Sequence, residues 1–440
     1  AGLTLALTRR ANTLRLLGNY DESMHDIDEA LRLSESNSKL QPDYAEALRL
    51  KGLNLYRLGE ARQAVNILEH SLLLYSTMHE TGRVAALLME TGMAHRAIGD
   101  VESARHSYQE ALKIQVAEKN LYYQAETLNN LAVLYHSVGE YELACETFEH
   151  GLACARKSRN QRAECVLLAG MGDLYSEVDE YDTAWRAYQQ AELLADELPG
   201  SFISNYLILA RGTLAVRQGN LESASQILKT AQTRIRNSRS IYELGMWNLL
   251  NGRLCLLQNK PQKAIAFFEE CKRSFLQDGR THETMWSTMW LAVAYVQDHQ
   301  SIKAREEIQS VLKSMGMSDH ALLVTILQVA PFLDDLRDDL QVGRSVNTLL
   351  EKSQMLKERL PAIRRALRHH VQSIQMPMAN IVIRAFGRPE VAVNGKAVNM
   401  SDWRTQSVRD LFFYFLFKRD AVTKEQVGAA LLPEIPDLQT

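Results

Sequence analysis

Apolar and polar positions alternate with a helical period from the first residues to about Ser318, as in Leu128, Leu131, Leu134 and Tyr135. Over these helices lies a longer period. A small residue recurs at Ala11, Gly52, Gly92, Ala132, Gly172, Gly212, Gly252 and Ala292. Seven residues later stand Gly18, Gly59, Gly99, Gly139, Asp179, Gly219, Asn259 and His299. Twelve residues later stand Ser23, Ala64, Ala104, Ala144, Ala184, Ala224, Ala264 and Ala304. The step is 40 residues, with one of 41. A fixed period of this size predicts stacked two-helix units, a solenoid in which each unit buries its apolar face only against its neighbours.

Each point of the frame has a physical reading. The first small residue lets helix A of a unit lie close to its own helix B. The second point is Gly, Asp or Asn in seven of eight units, residues that tolerate the left-handed conformation ending a helix. The third is a close-approach point on helix B. Units are predicted near 4–34, 45–78, 85–118, 125–158, 165–198, 205–238, 245–278 and 285–318. Pro199-Gly200 marks a turn between units, and Pro261 opens a helix B. Residues 319–375 read as one or two closing helical pairs covering the last apolar face, with Pro331 and Pro361 as breaks.

At Ile381 the period switches to alternation. Ile381–Phe386 and Glu390–Val393 read as strands. Asn394-Gly395 reads as a type I′ hairpin turn, and Lys396–Met400 as the return strand. Arg404–Lys418 reads as a helix with Val408, Leu411, Phe412, Phe415 and Leu416 toward a core. Thr423 with Gln426 fits a capping box that starts a second helix.

These residues carry two resemblances. The run Leu128-Asn129-Asn130-Leu131-Ala132-Val133-Leu134-Tyr135 with Val138-Gly139-Glu140-Tyr141 resembles a tetratricopeptide repeat (TPR). Its long units are similar to those of kinesin light chains and of the sensor arm in the maltose-regulon activator (STAND-type) family. Phe386-Gly387-Arg388-Pro389-Glu390-Val391, then Asn394-Gly395-Lys396, then Trp403-Arg404-Thr405 and Arg409-Asp410-Leu411 resemble the start of the OmpR-type winged helix. In antibiotic-regulatory activators that unit precedes a bacterial transcriptional activation domain. The family usually has Trp before the proline closing the second helix, where this chain has Leu432. Its recognition helix, which enters the major groove, would come after Leu432, so the chain is expected to stop before it at Thr440. The lack of an initial Met likewise reads as a cut end. The resemblances imply a mostly α fold, a right-handed TPR-like α-solenoid of about eight hairpins over 1–325. Closing helices and a linker over 326–376 and the N-terminal part of a winged-helix DNA-binding domain over 377–440 would follow.

Composition narrows this reading. The chain has 440 residues, 46% of them apolar, and a net charge of −3, enough for an extensive core and unlike a globally basic nucleic-acid binder. The five cysteines show no paired spacing and read as buried reduced thiols of a cytoplasmic protein. No run approaches the length needed to span a bilayer; the densest, Leu411–Phe417, is far too short. Arg359–His370 is the most basic stretch, readable as phosphate-facing or as a solvated linker helix. The acidic run Asp334–Asp339 reads as solvated surface. No P-loop, dinucleotide-binding glycine motif, H-E-x-x-H or G-x-S-x-G occurs. The histidines are scattered and read as surface or turn residues. Neither an enzyme nor a cofactor or metal site is expected.

Candidate chemistry therefore lies in the groove formed by helices A. Counting by the frame, its partner-binding residues are Arg49, Tyr56, Met89, Met93, Arg96, Asn129, Asn130, His136, Asp173, Tyr206, Arg253, Trp286 and Met289. Asn130 resembles the peptide-clamping asparagine of TPR grooves, able to donate to and accept from a backbone; it could equally satisfy a helix end. Trp286, Met289 and Trp290 could anchor a partner or form core between units. Arg404, Thr405 and Arg409 are the candidate DNA-phosphate contacts. By resemblance, the chain is the sensing and protein-interaction arm of a multidomain bacterial transcription regulator. A protein, peptide or small-molecule inducer would occupy the groove, DNA would meet the completed winged helix, and an ATPase module would precede the arm. The alternatives are a TPR scaffold or adaptor with no DNA role, and an arm that mediates homo-oligomerisation.

Overall fold

The computed structural model describes residues 2–198, 202–238, 240–277, 279–314, 319–370, 374, 381–384, 390–393, 396–403, 405–418 and 422–431. The chain divides into two compact units, Ala1–Ile374 and Gln375–Thr440.

The first unit is a TPR-like solenoid of eight helical hairpins. They are α1 (Gly2–Leu16) with α2 (Tyr20–Ser34), α3 (Gln41–Arg57) with α4 (Ala61–Thr77), α5 (Thr81–Ala97) with α6 (Val101–Ala117), and α7 (Leu121–Ser137) with α8 (Tyr141–Ser158). Then come α9 (Gln161–Glu177) with α10 (Tyr181–Ala195), α11 (Phe202–Arg217) with α12 (Leu221–Ser238), α13 (Ile241–Leu257) with α14 (Pro261–Gln277), and α15 (Thr281–Gln297) with α16 (Ser301–Ser314).

The frame does what its chemistry predicts. All eight residues at the second point, from Gly18 to His299, have positive φ. Four of the five glycines at the first point are tight. A methyl on Gly52, Gly92, Gly172 or Gly252 would stand 2.3–2.7 Å from Leu68, Tyr108, Tyr188 or Phe268, each sixteen residues on, on helix B of the same unit. Gly212 is looser, with its nearest atoms at 3.4 Å on Leu250 and 3.6 Å on Ile227. The third-point residues are fully buried throughout. A second series of left-handed residues, His79, Lys119, Arg159 and Gly279, ends helices B at the turns between units. Pro261 opens α14 as expected. Far along the solenoid the chain returns on itself, since a methyl on Gly279 would stand 3.9 Å from the Cα of Gly59.

Two further helices complete the unit, α17 (His320–Val329) and α18 (Gly343–His370), joined through 3₁₀ turns at Ala330–Phe332 and Asp334–Leu336. The first turn contains Pro331, a break as predicted. Pro361, also predicted as a break, lies inside an uninterrupted α18. Proline removes the hydrogen bond to the carbonyl four residues back; both Pro361 and Lys357 are exposed, so water can take up that carbonyl without breaking the helix. The described residues of 326–370 are closing helices as expected, with α17 and α18 packed into the solenoid unit. The acidic run is not wholly solvated either. Asp339 accepts from Arg305 at 2.7 Å and from the amides of Gln341 and Val342 at 2.9 and 3.1 Å, fixing the turn into α18.

In the second unit β1 (Ile381–Arg384), β2 (Glu390–Val393) and β3 (Lys396–Ala397) form an antiparallel sheet in the order β1-β2-β3. Ile381 pairs with Val393, and Val393 with Lys396. The return strand is shorter than predicted because Met400–Asp402 turns into a 3₁₀ helix boxed by Asn399 and Asp402. Helices α19 (Gln406–Phe417) and α20 (Lys424–Leu431) follow. The capping box is present: the Thr423 amide donates to Gln426 at 3.0 Å, and the Gln426 amide to the Thr423 hydroxyl at 3.4 Å. The predicted inward face of α19 is a correction. Val408, Phe415 and Leu416 are exposed, and Leu411 and Phe412 half-buried. The turns predicted at Pro199-Gly200 and Asn394-Gly395, and residues 386–389 of the winged-helix resemblance, lie outside the described residues.

Candidate functional site

The most elaborate chemistry gathers where helices A of units four to seven end and turn, beneath α17 and α18. Leu356, Leu360, Ile363 and Leu367 of α18 join the buried cluster that contains Leu128, Phe148 and Tyr175. Around this apolar seam the basic residues of α18 meet the turn after α9. Arg364 donates from Nε to the carbonyl of Val178 and from Nη2 to Asp179 at 2.7 Å. Arg217 of α11 donates to the carbonyl of Glu177 at 3.2 Å and to Asp179 at 3.0 Å. Two guanidiniums therefore satisfy the orphan carbonyls at a helix C-terminus, where the macrodipole also favours positive charge. Arg368 bonds Glu180 at 2.6 Å, and His370 faces Glu146 at 3.4 Å. The basic stretch read as a solvated linker or a phosphate contact is docked, in part, by these carboxylates.

A second cluster lies beside it. Glu177 accepts from the Tyr141 hydroxyl at 2.7 Å, and His320 of α17 stands 3.3 Å from the same carboxylate oxygen. His136 approaches the other oxygen at 3.3 Å, within ion-pair distance but not aligned as a hydrogen bond. Burial pushes the Glu177 carboxyl up, but the charge of His136 and the contact with His320 outweigh it and hold Glu177 well below the usual carboxylate range. Burial lowers His136, and the Glu177 charge reverses this and raises it overall. Asp173, one turn earlier on α9, accepts from Tyr188 at 2.7 Å and from Tyr206. Burial raises its carboxyl, and these two hydroxyls only partly offset the shift. His136, like His95 between Glu69 and Asp100, is not the surface or turn histidine expected.

Next to these clusters is a pocket of about 300 Å³. Its walls are the ends of α9, α11 and α13, Trp290 of α15, Val324 and Leu327 of α17, and Lys357 and Leu360 of α18. Arg253 lines it, 8% exposed, with its guanidinium 4.7 Å from the centre of the Trp290 ring. Its Nε has no hydrogen-bond partner, and among the described residues no carboxylate pairs with it. Burial, with the nearby charge of Arg217, pushes its pKa down to about 9.

The structure thus brings His136, Asp173, Tyr206 and Arg253 of the predicted groove residues to one region, with Trp286 half-buried nearby on α15. The others are elsewhere. Arg49 is held by Glu90 and by Glu46 at 2.9 Å, so its charge is already matched. Met289 is 1% exposed and belongs to the core between units, because the α15 face carrying it packs against its neighbours. Tyr56, Met89 and Met93 pack partly buried against core clusters, whereas Arg96 is exposed. Asn129 and Asn130 are half-buried, and Asn129 Oδ1 has no partner. In the second unit Thr405 caps α19 by accepting from the Val408 amide at 3.3 Å, and Arg409 lies 3.2 Å from Asp410. Arg404 lies outside the described residues. Sequence reasoning missed Glu177, Arg217, His320 and Arg364 as parts of the site.

Comparison with known families decides the class. The family described as the MalT-like TPR region matches residues 45–331. The chain belongs to this family. A tetratricopeptide-repeat family also matches residues 3–77. Among solved structures, the chain is similar to a Rap protein complexed with competence and sporulation factor, with TM-score 0.57 and 13% identity over 82% of this chain and 99% of that one. It is also similar to a tetratricopeptide repeat protein from Parabacteroides merdae (TM-score 0.43, 19% identity, 65% of this chain and 100% of that one). Yeast Tom70 is a third (TM-score 0.40, 14% identity, 84% and 97%). No curated protein matches the sequence. As a TPR array the MalT-like chain is a protein-interaction scaffold, built to present an extended surface. Among the described residues no helix is long and apolar enough to cross a membrane.

Proposed function

We propose that this chain is the signal-sensing and protein-interaction arm of a multidomain bacterial transcription regulator, a binding rather than a catalytic element. A protein or peptide partner on the TPR surface would be coupled to a DNA-binding effector that begins in the second unit. The observation that carries the reading is the docking of α18. This last helix of the solenoid is held by Arg364 and Arg368 on the turn of unit five, and the chain runs from its end into residues 375–440. A partner that changes how units four and five stack would change the seat of the helix leading to the effector, which is a population shift between seated and released α18. Membership of the MalT-like TPR family and the sheet-then-helix order after Ile381 support it, as does the complex of the similar Rap protein with competence and sporulation factor.

The test is DNA binding by the full natural polypeptide and by a version lacking residues 375–440, at two salt concentrations. Salt-dependent binding that disappears with the deletion supports the proposal. Binding that survives the deletion, or none in either, returns the chain to a scaffold without a DNA role.

A further inference from the structure

The pocket beside Arg253 holds a charge that the fold leaves unmatched. Around it Arg217 and Arg364 share Asp179, and Glu177 is shared by Tyr141, His136 and His320. Arg253 alone among these is buried without a carboxylate, and its Nε, like that of Arg217, has no partner. A buried guanidinium is unfavourable when nothing offsets its lost hydration, and one aromatic face at 4.7 Å recovers only part of that cost. The rest of the wall is mostly apolar, with Leu256, Val324, Leu327, Phe332 and Leu360 around an opening rimmed by exposed Lys357. A volume of about 300 Å³ lies at the lower end of small-molecule sites, which combine such walls with a few placed polar groups.

From this we infer that the pocket is a binding site for a small organic acid, its carboxylate on Arg253 and its aliphatic or aromatic body between α13, α17 and α18. A forked guanidinium matches a carboxylate with two parallel hydrogen bonds. A monoanion fits better than a phosphate dianion, because Glu177 and Asp179 also line the pocket. A ligand there touches both helix A of unit seven and the closing pair, so it tightens the seat of α17 and α18. The inference concerns the pocket and does not depend on the regulator reading.

The experiment is titration of the 440-residue chain with octanoate and with 3-phenylpropionate, followed by calorimetry and by the fluorescence of its tryptophans, which include Trp290 in the wall. Octanamide and 3-phenylpropanamide serve as neutral controls. At least one acid should bind saturably and at least tenfold more tightly than its amide. Arg253→Met should lose at least tenfold, and Arg253→Lys should keep part of the affinity. Should Arg253→Met fail the circular-dichroism check for folding, Leu327→Trp, which fills the pocket and leaves the charge, should abolish acid binding instead. Equal binding of acid and amide, undiminished binding by a folded Arg253→Met or Leu327→Trp chain, or no saturation by either acid at millimolar concentration overturns the inference. DNA is absent from every arm, so failure here leaves the regulator proposal standing, and the reverse.

Discussion

The turns between helices A and B follow one frame, yet they meet two environments. In units one and three the turn glycines Gly18 and Gly99 have nothing within 4 Å of a built methyl. In unit four the same position, Gly139, has His320 at 2.7 Å, and in unit five Asp179 holds Arg217 and Arg364. The backbone is the same, with φ of 80° at Gly99 and 79° at Gly139. Only the second set is covered by α17 and α18. A repeat therefore fixes the conformation of each unit, while the surroundings of each turn depend on where the array is covered and what charge is placed under the cover.

The largest test of that contrast is a pair of identical substitutions. Gly99→Ala should cost about 1–2 kcal/mol, the penalty of a left-handed L-residue. Gly139→Ala should cost the same plus about 1–3 kcal/mol for displacing His320. Urea unfolding of both variants measures the difference, and equal losses would mean that α17 does not sit on unit four. Next in size is Arg364→Ala, which removes two hydrogen bonds from a charged donor. It should cost about 2 kcal/mol and speed amide exchange in the C-terminal half of α18, without changing exchange in α1–α6. Uniform acceleration along the chain would deny the helix its separate seat.

Most of the solenoid was legible in the sequence because its causes are local. A small residue for helix approach and a left-handed residue for the turn leave the same mark every 40 residues, and all eight turns have the expected φ. The seat of α18 was not legible, because its cause is a contact about 185 residues away, as between Arg364 and Asp179; its basic face looked solvated. One signal of the site was present nonetheless. The residue directly after the first frame point is apolar in units two, three, four and eight (Leu53, Met93, Val133, Val293) but becomes Asp173, Thr213 and Arg253 in units five to seven. A charge in a register that elsewhere holds apolar or neutral polar residues (Asn12 in unit one, Thr213 in unit six) marks a place where the packing does something besides stack. The inter-unit turns carried no such mark, since His79, Lys119 and Arg159 are not residues that announce positive φ.

A smaller effect should appear with pH. His136 has a folded pKa above its ordinary 6.5, and Glu177 one below its ordinary 4.5. The histidine's contribution is complete below pH 6.5 and is lost as pH rises through its folded value; the carboxylate's is complete above pH 4.5 and is lost as pH falls through its folded value. The pair therefore supports the covered edge most between these limits and weakens toward alkaline pH, with Asp173 the other acidic group facing His136. Comparing the Tm of the chain and of His136→Gln from pH 5 to 9, the gap between them should narrow as pH rises. A gap independent of pH would mean that His136 is not charged in the fold.

The smallest effect is a gain, and it probes the turns that the frame does not mark. Lys119 holds φ of 55° at the end of α6, in a turn closed by its own amide on the carbonyl of Val116 at 3.0 Å and by the Asn120 amide on Gln115 at 2.9 Å. Those bonds belong to the backbone and survive any side chain. Lys119→Gly removes the steric penalty of the left-handed region, about 1–2 kcal/mol, and adds to the freedom of the unfolded chain, which takes back about 0.4–1 kcal/mol. The net should be a stabilisation of about 0.5–1 kcal/mol by urea unfolding. Gly279, the glycine already present in the same series, shows that the position accepts it. If Lys119→Gly is destabilising instead, the side chain contributes more than its strain, and the inter-unit turns are held by contacts rather than by backbone geometry alone.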